Sequence, residues 1–160
     1  KPNIITIAWA GTVCSIPPMV GISIRPSRYS HQLISSSREF VVNMPTADQL
    51  RAVDYCGMVS GRDVDKFKAT GFTPIPGTRI KTPLIKECPV NMECQVKHII
   101  SLGAHDLFVA EIVANHIDEE ALDAKGQLDI ERVKPLAYNG VQKYLTVDRE
   151  IGTYGMSKQG

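Results

Sequence analysis

The sequence predicts a mainly β fold, an antiparallel β-barrel with peripheral helices. Three observations carry that expectation. About six strand-like runs follow one another with mostly short connections, as antiparallel neighbours do. The two longest, VNMECQVKHIISL and HDLFVAEIVANHI, meet at Gly103-Ala104 and read as a hairpin. The helical patterns number about three and are short, so they decorate a sheet and do not form a bundle. The chain has 160 residues, which predicts one domain over 1–160 with enough length to bury a core unaided. It opens at Lys1, without Met and in the middle of a strand-like run, so the first strand is expected to be incomplete.

From the N-terminus, NIITIAW (3–9) reads as a strand, and Ala10 to Ser15 as a turn of small, hydroxyl and thiol residues ahead of Pro17-Pro18. MVGISI is a second strand. Tyr29, Leu33 and Ile34 have helical spacing and predict a short helix, and EFVVN is a third strand. Thr46 and Gln49 match a capping box that starts a helix over 47–59, with Gly57 and Gly61 marking its end. A further short helix is expected from Asp63 as cap to Gly71 as terminator. The proline-rich FTPIPGTRIKTPLIKECP should run extended over the surface. In the first hairpin strand Met92, Cys94, Val96 and His98 alternate against Asn91, Glu93, Gln95 and Lys97. After the hairpin come a polar loop, a helical turn from Asp129 to Lys134 ended by Pro135, and extended pieces around Tyr138 and Tyr144.

Composition narrows the class. A net charge of +1 removes the broad electrostatic case for nucleic acid or an anionic membrane surface. No apolar run approaches the roughly 20 residues of a membrane span. Cys14, Cys56, Cys88 and Cys94 form no CxxC pair and read as free thiols of a reducing, cytoplasmic compartment. His31, His98, His105 and His116 give no i, i+4 pair, so no metal site is expected. Neither a Gly-x-Gly-x-x-Gly nor a Walker loop is present, so a nicotinamide nucleotide would dock without a Rossmann domain of its own.

Residues 3–43 concentrate the polar interruptions and are where a ligand is expected. Arg25, Ser27 and Arg28 directly precede a helix start, where free amides and the helix dipole favour an anion such as a phosphate. A solvated basic turn with Ser27 as a plain N-cap fits the same residues. Trp9, Ala10, Gly11, Thr12, Val13 and Cys14 are mostly small enough for backbone to approach a flat ring; equally, Thr12 and Cys14 fit ordinary strand-end roles and Trp9 fits the core. Asn43 offers a donor and an acceptor to a ring edge, or serves as a turn residue ahead of Met44-Pro45. His105 stands at the hairpin tip, either simply exposed or placed to act near neutral pH.

Taken together, TIAWAGTVCSIPPM, RPSRYSHQLI, FVVN, YCGMVSGRDVDKF, GAHDLFVAEI and PLAYNGVQKY resemble the flavin reductase-like family with an FMN-binding split barrel, and most of all its flavoredoxin branch. Ala104 stands where many members have Asp, and Cys14 where many have Ser. The resemblance implies non-covalent FMN held by Trp9 to Cys14, Arg25, Ser27, Arg28 and Asn43, in a homodimer whose subunits both line the site. It implies His105 close to the flavin or nicotinamide. It also implies electrons taken from NAD(P)H and passed to flavin, ferric iron or a redox partner protein. A flavoredoxin-like carrier without its own NAD(P)H site is the alternative. A barrel that has lost flavin and serves as an interaction protein is a third.

Overall fold

A computed structural model describes residues 1–147 and 149–158. The chain runs through β1 (Ala10–Ser15), β2 (Pro18–Ile24), α1 (Tyr29–Ser37) and β3 (Glu39–Met44). A 3-10 turn (Ala47–Gln49) leads into α2 (Leu50–Met58), followed by α3 (Lys66–Thr70) and the short β4 (Pro74–Ile75) and β5 (Leu84–Ile85). The long β6 (Val90–Ser101) and β7 (Asp106–Ile117) come next, then α4 (Ile130–Val133), β8 (Leu136–Tyr138) and β9 (Tyr144–Thr146). Five strands pair antiparallel in the order β1-β2-β7-β6-β3; β4 with β5 and β8 with β9 make two small ribbons. The fold is mainly β, with helices at its periphery.

Alternation builds the core. Val20, Ile22 and Ile24 of β2, Phe40 of β3, Cys94 of β6, and Phe108 and Ala110 of β7 face one side, and Ile34 of α1 covers them. Phe108 is fully buried, and a side chain of that size contributes about 1.5 to 3 kcal/mol by leaving water. The alternation of β6 breaks where its register with β7 shifts, once between Glu93 and Cys94 and again between Val96 and His98. A bulge re-aims the side chains beyond it. Ile99 therefore packs against the core, and His98 is exposed.

Several expectations are corrected. Residues 3–9 form no strand, and the strand lies at Ala10–Ser15, where a turn was expected. The N-terminal segment is held differently. The Ile4 carbonyl accepts from Lys66, the Thr6 hydroxyl donates to the Val53 carbonyl, and the Asn3 amide donates to the Ser30 hydroxyl at 2.8 Å. Only the Ile4 carbonyl, a group that a ladder would otherwise take, is satisfied by a side chain; the other two bonds tie side chains of the segment to α1 and α2. The cap of α3 is Asp65, which accepts from the Lys68 amide, while Gly71 ends the helix at φ 77° as expected. Arg28, and not Ser27, occupies the N-cap of α1. The proline-rich segment is no surface cover: Ile80, Leu84, Ile85 and Cys88 within it are buried. The hairpin, the Thr46–Gln49 capping box, the helical turn after Asp129 and the tail strands stand where expected. All four cysteines are free.

Candidate functional site

The N-terminal segment borders a groove of about 1670 Å³ whose other walls come from α1, β3, residues 81–83 and the β8–β9 ribbon. Two glycines let the segment lie so close. A Cβ on Gly57 would stand 3.2 Å from the Thr6 Cβ, and one on Gly61 would overlap the Asn3 side chain. Beneath the segment the Lys66 ammonium, only 4% exposed, donates to the carbonyls of Ile4 and Cys56 at 2.7 Å each. Burial, and secondarily Arg28, hold its pKa below the ordinary lysine range, against the pull of Cys56.

At one end of the groove lie Arg25, Arg28 and Ser30. Helix α1 has nine residues, and neither a side-chain cap bond nor an acidic residue occupies its first turn. The N-terminus of α1, with no side-chain cap and the positive end of its dipole, therefore follows directly on two arginines that line the groove. That combination attracts anions.

Aromatic surface lines other parts. Trp9 is 64% exposed and stacks on His105, with ring centroids 5.1 Å apart and planes 15° from parallel. The hairpin tip that carries His105 closes through the Leu102 amide donating to the His105 carbonyl. His31 of α1 pairs with Asp106 beside it at 2.8 Å, and this bond lowers the Asp106 pKa. The His31 ring also meets the edge of Phe108. In the ribbon, Tyr138 and Tyr144 pack edge to face at 5.3 Å, and the Tyr144 hydroxyl donates to Asp54 at 2.9 Å. Burial, reinforced by Asp54, pushes the Tyr144 phenol up to about 12.

Of the residues expected from sequence, Trp9, Ala10, Arg25, Arg28 and Asn43 line this groove; His105 does not line it but stacks on Trp9. Gly11, Thr12, Val13 and Cys14 do not line it. They lie along β1, at the edge of the sheet, with all but Cys14 exposed. Cys14 donates weakly to the Ile16 carbonyl. Ser27 also stands outside the groove, its carbonyl accepting from Arg62. Asn43 has a structural task there: its Oδ1 accepts from the Ile85 amide at 3.1 Å. Sequence reasoning missed Asn3 and the depth of Lys66. The one polar residue heading an apolar run was a signal for Asn3. For Lys66 there was none, because Lys66 and Lys68 look alike in DVDKFKAT. Among the described residues no group of His, Cys, Asp and Glu is arranged to hold a metal ion, and no helix is long and apolar enough to cross a membrane.

The family described as flavin reductase like domain matches residues 1–146. The chain belongs to this family. One relative is an uncharacterised protein of Archaeoglobus fulgidus, 37% identical over 130 residues, which are 81% of this chain and 72% of that protein. The flavoredoxin of Desulfovibrio vulgaris (Miyazaki F) superposes with a TM-score of 0.91 at 32% identity, over 98% of this chain and 84% of its own. An FMN-binding protein from Thermus thermophilus, with bound 1-cyclohex-2-enone, superposes with a TM-score of 0.83 at 29% identity, over 94% and 82%. The fold of this flavin reductase-like chain is accordingly the split barrel of these neighbours.

Proposed function

We propose that this chain is an FMN-binding flavoprotein of the flavin reductase type, taking electrons from NAD(P)H and passing them to flavin, ferric iron or a protein acceptor. The observation that carries the FMN reading is the N-terminus of α1, free of a side-chain cap and directly following Arg25 and Arg28, which line a groove large enough for a nucleotide-sized ligand. A phosphate dianion needs charge-assisted donors, and these are the donors it needs. The residues fit the cofactor. Arg25, Arg28 and the first amides of α1 would hold the phosphate, with Ser30 beside them; Trp9, Ala10 and Asn43 would bound the ring. When bound, FMN supplies the hydride and electron transfer chemistry, and the protein supplies binding, orientation and exclusion of water. His105, stacked on Trp9 at the hairpin tip, holds the indole in place and presents an imidazole to an incoming nicotinamide.

A second reading has one observation in its favour. The flavoredoxin superposition covers nearly the whole chain at 0.91, which supports an electron carrier reduced by another protein. Both readings place the chain in the cytoplasm as a homodimer, with the exposed Val141, Leu145 and Ile151 of the tail region available to a second copy. The deciding experiment is an anaerobic visible spectrum of protein loaded with FMN and freed of excess. Rapid bleaching with NADH or NADPH establishes the reductase. A flavin that stays oxidised until dithionite is added establishes the carrier. A protein that retains no flavin refutes both.

A further inference from the structure

The polar face of β3 and β6 is covered, and what covers it is the segment that forms one wall of the groove. Cross-strand pairing sets Glu39, Val41 and Asn43 opposite Gln95, Glu93 and Asn91. Glu93 is fully buried, and its carboxylate is saturated. Oε1 accepts from the Thr78 amide and the Thr78 hydroxyl, both at 2.8 Å, and from His116 Nε2 at 2.6 Å. Oε2 accepts from the amides of Arg79 and Ile80, again at 2.8 Å. The next amide, Lys81, donates to Glu39 Oε2 at 3.0 Å. Farther along, the Ile85 amide is shared between Asn43 and Asn91.

Four successive amides, 78 to 81, are thus fixed by two carboxylates. The approach is tight enough to demand glycine at 77, where a Cβ would stand 2.8 Å from Glu93 Oε2 and 3.0 Å from the Ile80 carbonyl. Immediately after these amides, Lys81, Thr82 and Pro83 enter the groove wall. Glu93 and Thr78 do not line the groove themselves. Five hydrogen bonds to two carboxylates hold these four residues, so both the path and the depth of the stretch are set by side chains of β3 and β6. A buried carboxylate bonded by several backbone amides also fixes position sharply, because charged hydrogen bonds are short and directional.

We propose that Glu93 is a positioning residue of the groove: its carboxylate sets the backbone of 78–80 so that Lys81 to Pro83 stand at the distance that the bound flavin requires. This rests on the FMN reading above. Glu93 acts through the wall and touches no ligand.

The test compares FMN dissociation constants, the visible band of bound flavin and amide hydrogen exchange in four proteins: wild type, Glu93→Gln, Thr78→Val and Ile24→Ala. Gln at 93 turns an NH2 toward amides that need an acceptor. Thr78→Val removes only the hydroxyl bond and keeps the fold if Glu93→Gln does not fold. Ile24→Ala truncates a buried core side chain that does not itself line the groove and has no bond to 78–81, and measures what loss of stability alone does. The expected result is a dissociation constant raised about tenfold by Glu93→Gln and about threefold by Thr78→Val, each with a shifted flavin band. Exchange protection should fall at 78–81, while Ile24→Ala lowers the melting temperature and leaves affinity and band as in wild type. The proposal is overturned if Thr78→Val and the folded Glu93→Gln bind FMN no differently from Ile24→Ala, or if amides 78–81 keep their protection. If wild type itself binds no FMN, the functional reading falls and takes this assignment with it, a result distinct from failure in the variants alone.

Discussion

Lys66→Met removes the ammonium that ties the N-terminal segment to the body of the protein and keeps most of the stem. Two charged hydrogen bonds are lost, to the carbonyls of Ile4 and Cys56, both at 2.7 Å. Bonds of that kind contribute about 1.5 to 3 kcal/mol each, and the carbonyls they leave behind are poorly placed to find water. Against this, the variant no longer buries a charge, which in a site only 4% exposed offsets a part of the loss. The net expectation is a destabilisation of about 3 kcal/mol, or roughly 6 to 12 °C in melting temperature for a chain of this length. Thermal unfolding followed by far-UV circular dichroism measures it, with the exposed Lys68→Met as control. Hydrogen exchange should localise the loss to residues 1–9 and to the end of α2. A melting temperature within about a degree of wild type, with the segment still protected, would refute the argument that Lys66 anchors it.

The same geometry bears on other perturbations. Arg25→Ala with Arg28→Ala should weaken FMN binding by about 1.5 to 3 kcal/mol for each charge-assisted bond lost; equal flavin fluorescence titrations in variant and wild type would move the phosphate elsewhere. His105→Ala should free the Trp9 ring from its stacking partner, and because Trp9 is the only tryptophan its emission reports the change directly. An unaltered spectrum would show that the stack does not persist in solution, and an unaltered rate of reduction by NAD(P)H would remove His105 from the mechanism. Gly61→Ala should displace Asn3, whose side chain occupies the space a Cβ needs, and break its bond to Ser30; a melting temperature equal to wild type would show that the segment can shift freely. For pH, burial alone would raise the Glu93 carboxyl, but its bonds from Thr78, His116 and Arg79 bring it down to about 2. A carboxyl lower in the folded than in the unfolded chain stabilises above its ordinary value of about 4.3, and that stabilisation is lost as pH falls toward 2. Urea midpoints should therefore fall steeply over that window in wild type, by on the order of 3 kcal/mol in stability, and less in Glu93→Gln.

How far the fold was legible depended on whether a residue's partner lay nearby in sequence. The hairpin of β6 and β7, the Thr46–Gln49 capping box and the helical turn after Asp129 announce themselves within a few residues, because their hydrogen bonds are local. The strand expected at 3–9 failed for the opposite reason. NIITIAW is as apolar and β-branched as any strand, but its partners are Val53, Ser30 and Lys66, and no local pattern reveals that groups from three helices will hold it in place of a neighbouring strand. The proline-rich segment misled in the same way. Its amides looked destined for water until the buried Glu93, 13 to 15 residues later, supplied their acceptor.

The candidate site shows the same division with a functional edge. Arg25 and Arg28, which line the groove, were readable as candidates because a helix start flanked by arginines is a local pattern that needs only neighbouring residues. Gly11 to Cys14 were chosen because small residues permit close approach, but permission is not placement. The expectation put a turn there; the structure has an edge strand instead, and its residues 11–14 do not line the groove. Trp9 and Ala10, one step earlier, remain on it. The shift that moved the strand from 3–9 to 10–15 is therefore the shift that divided the expected ring contacts. A shift in local structure thus became a shift in which of these residues border the groove, because in a β protein the face a residue presents is set by the register of its strand.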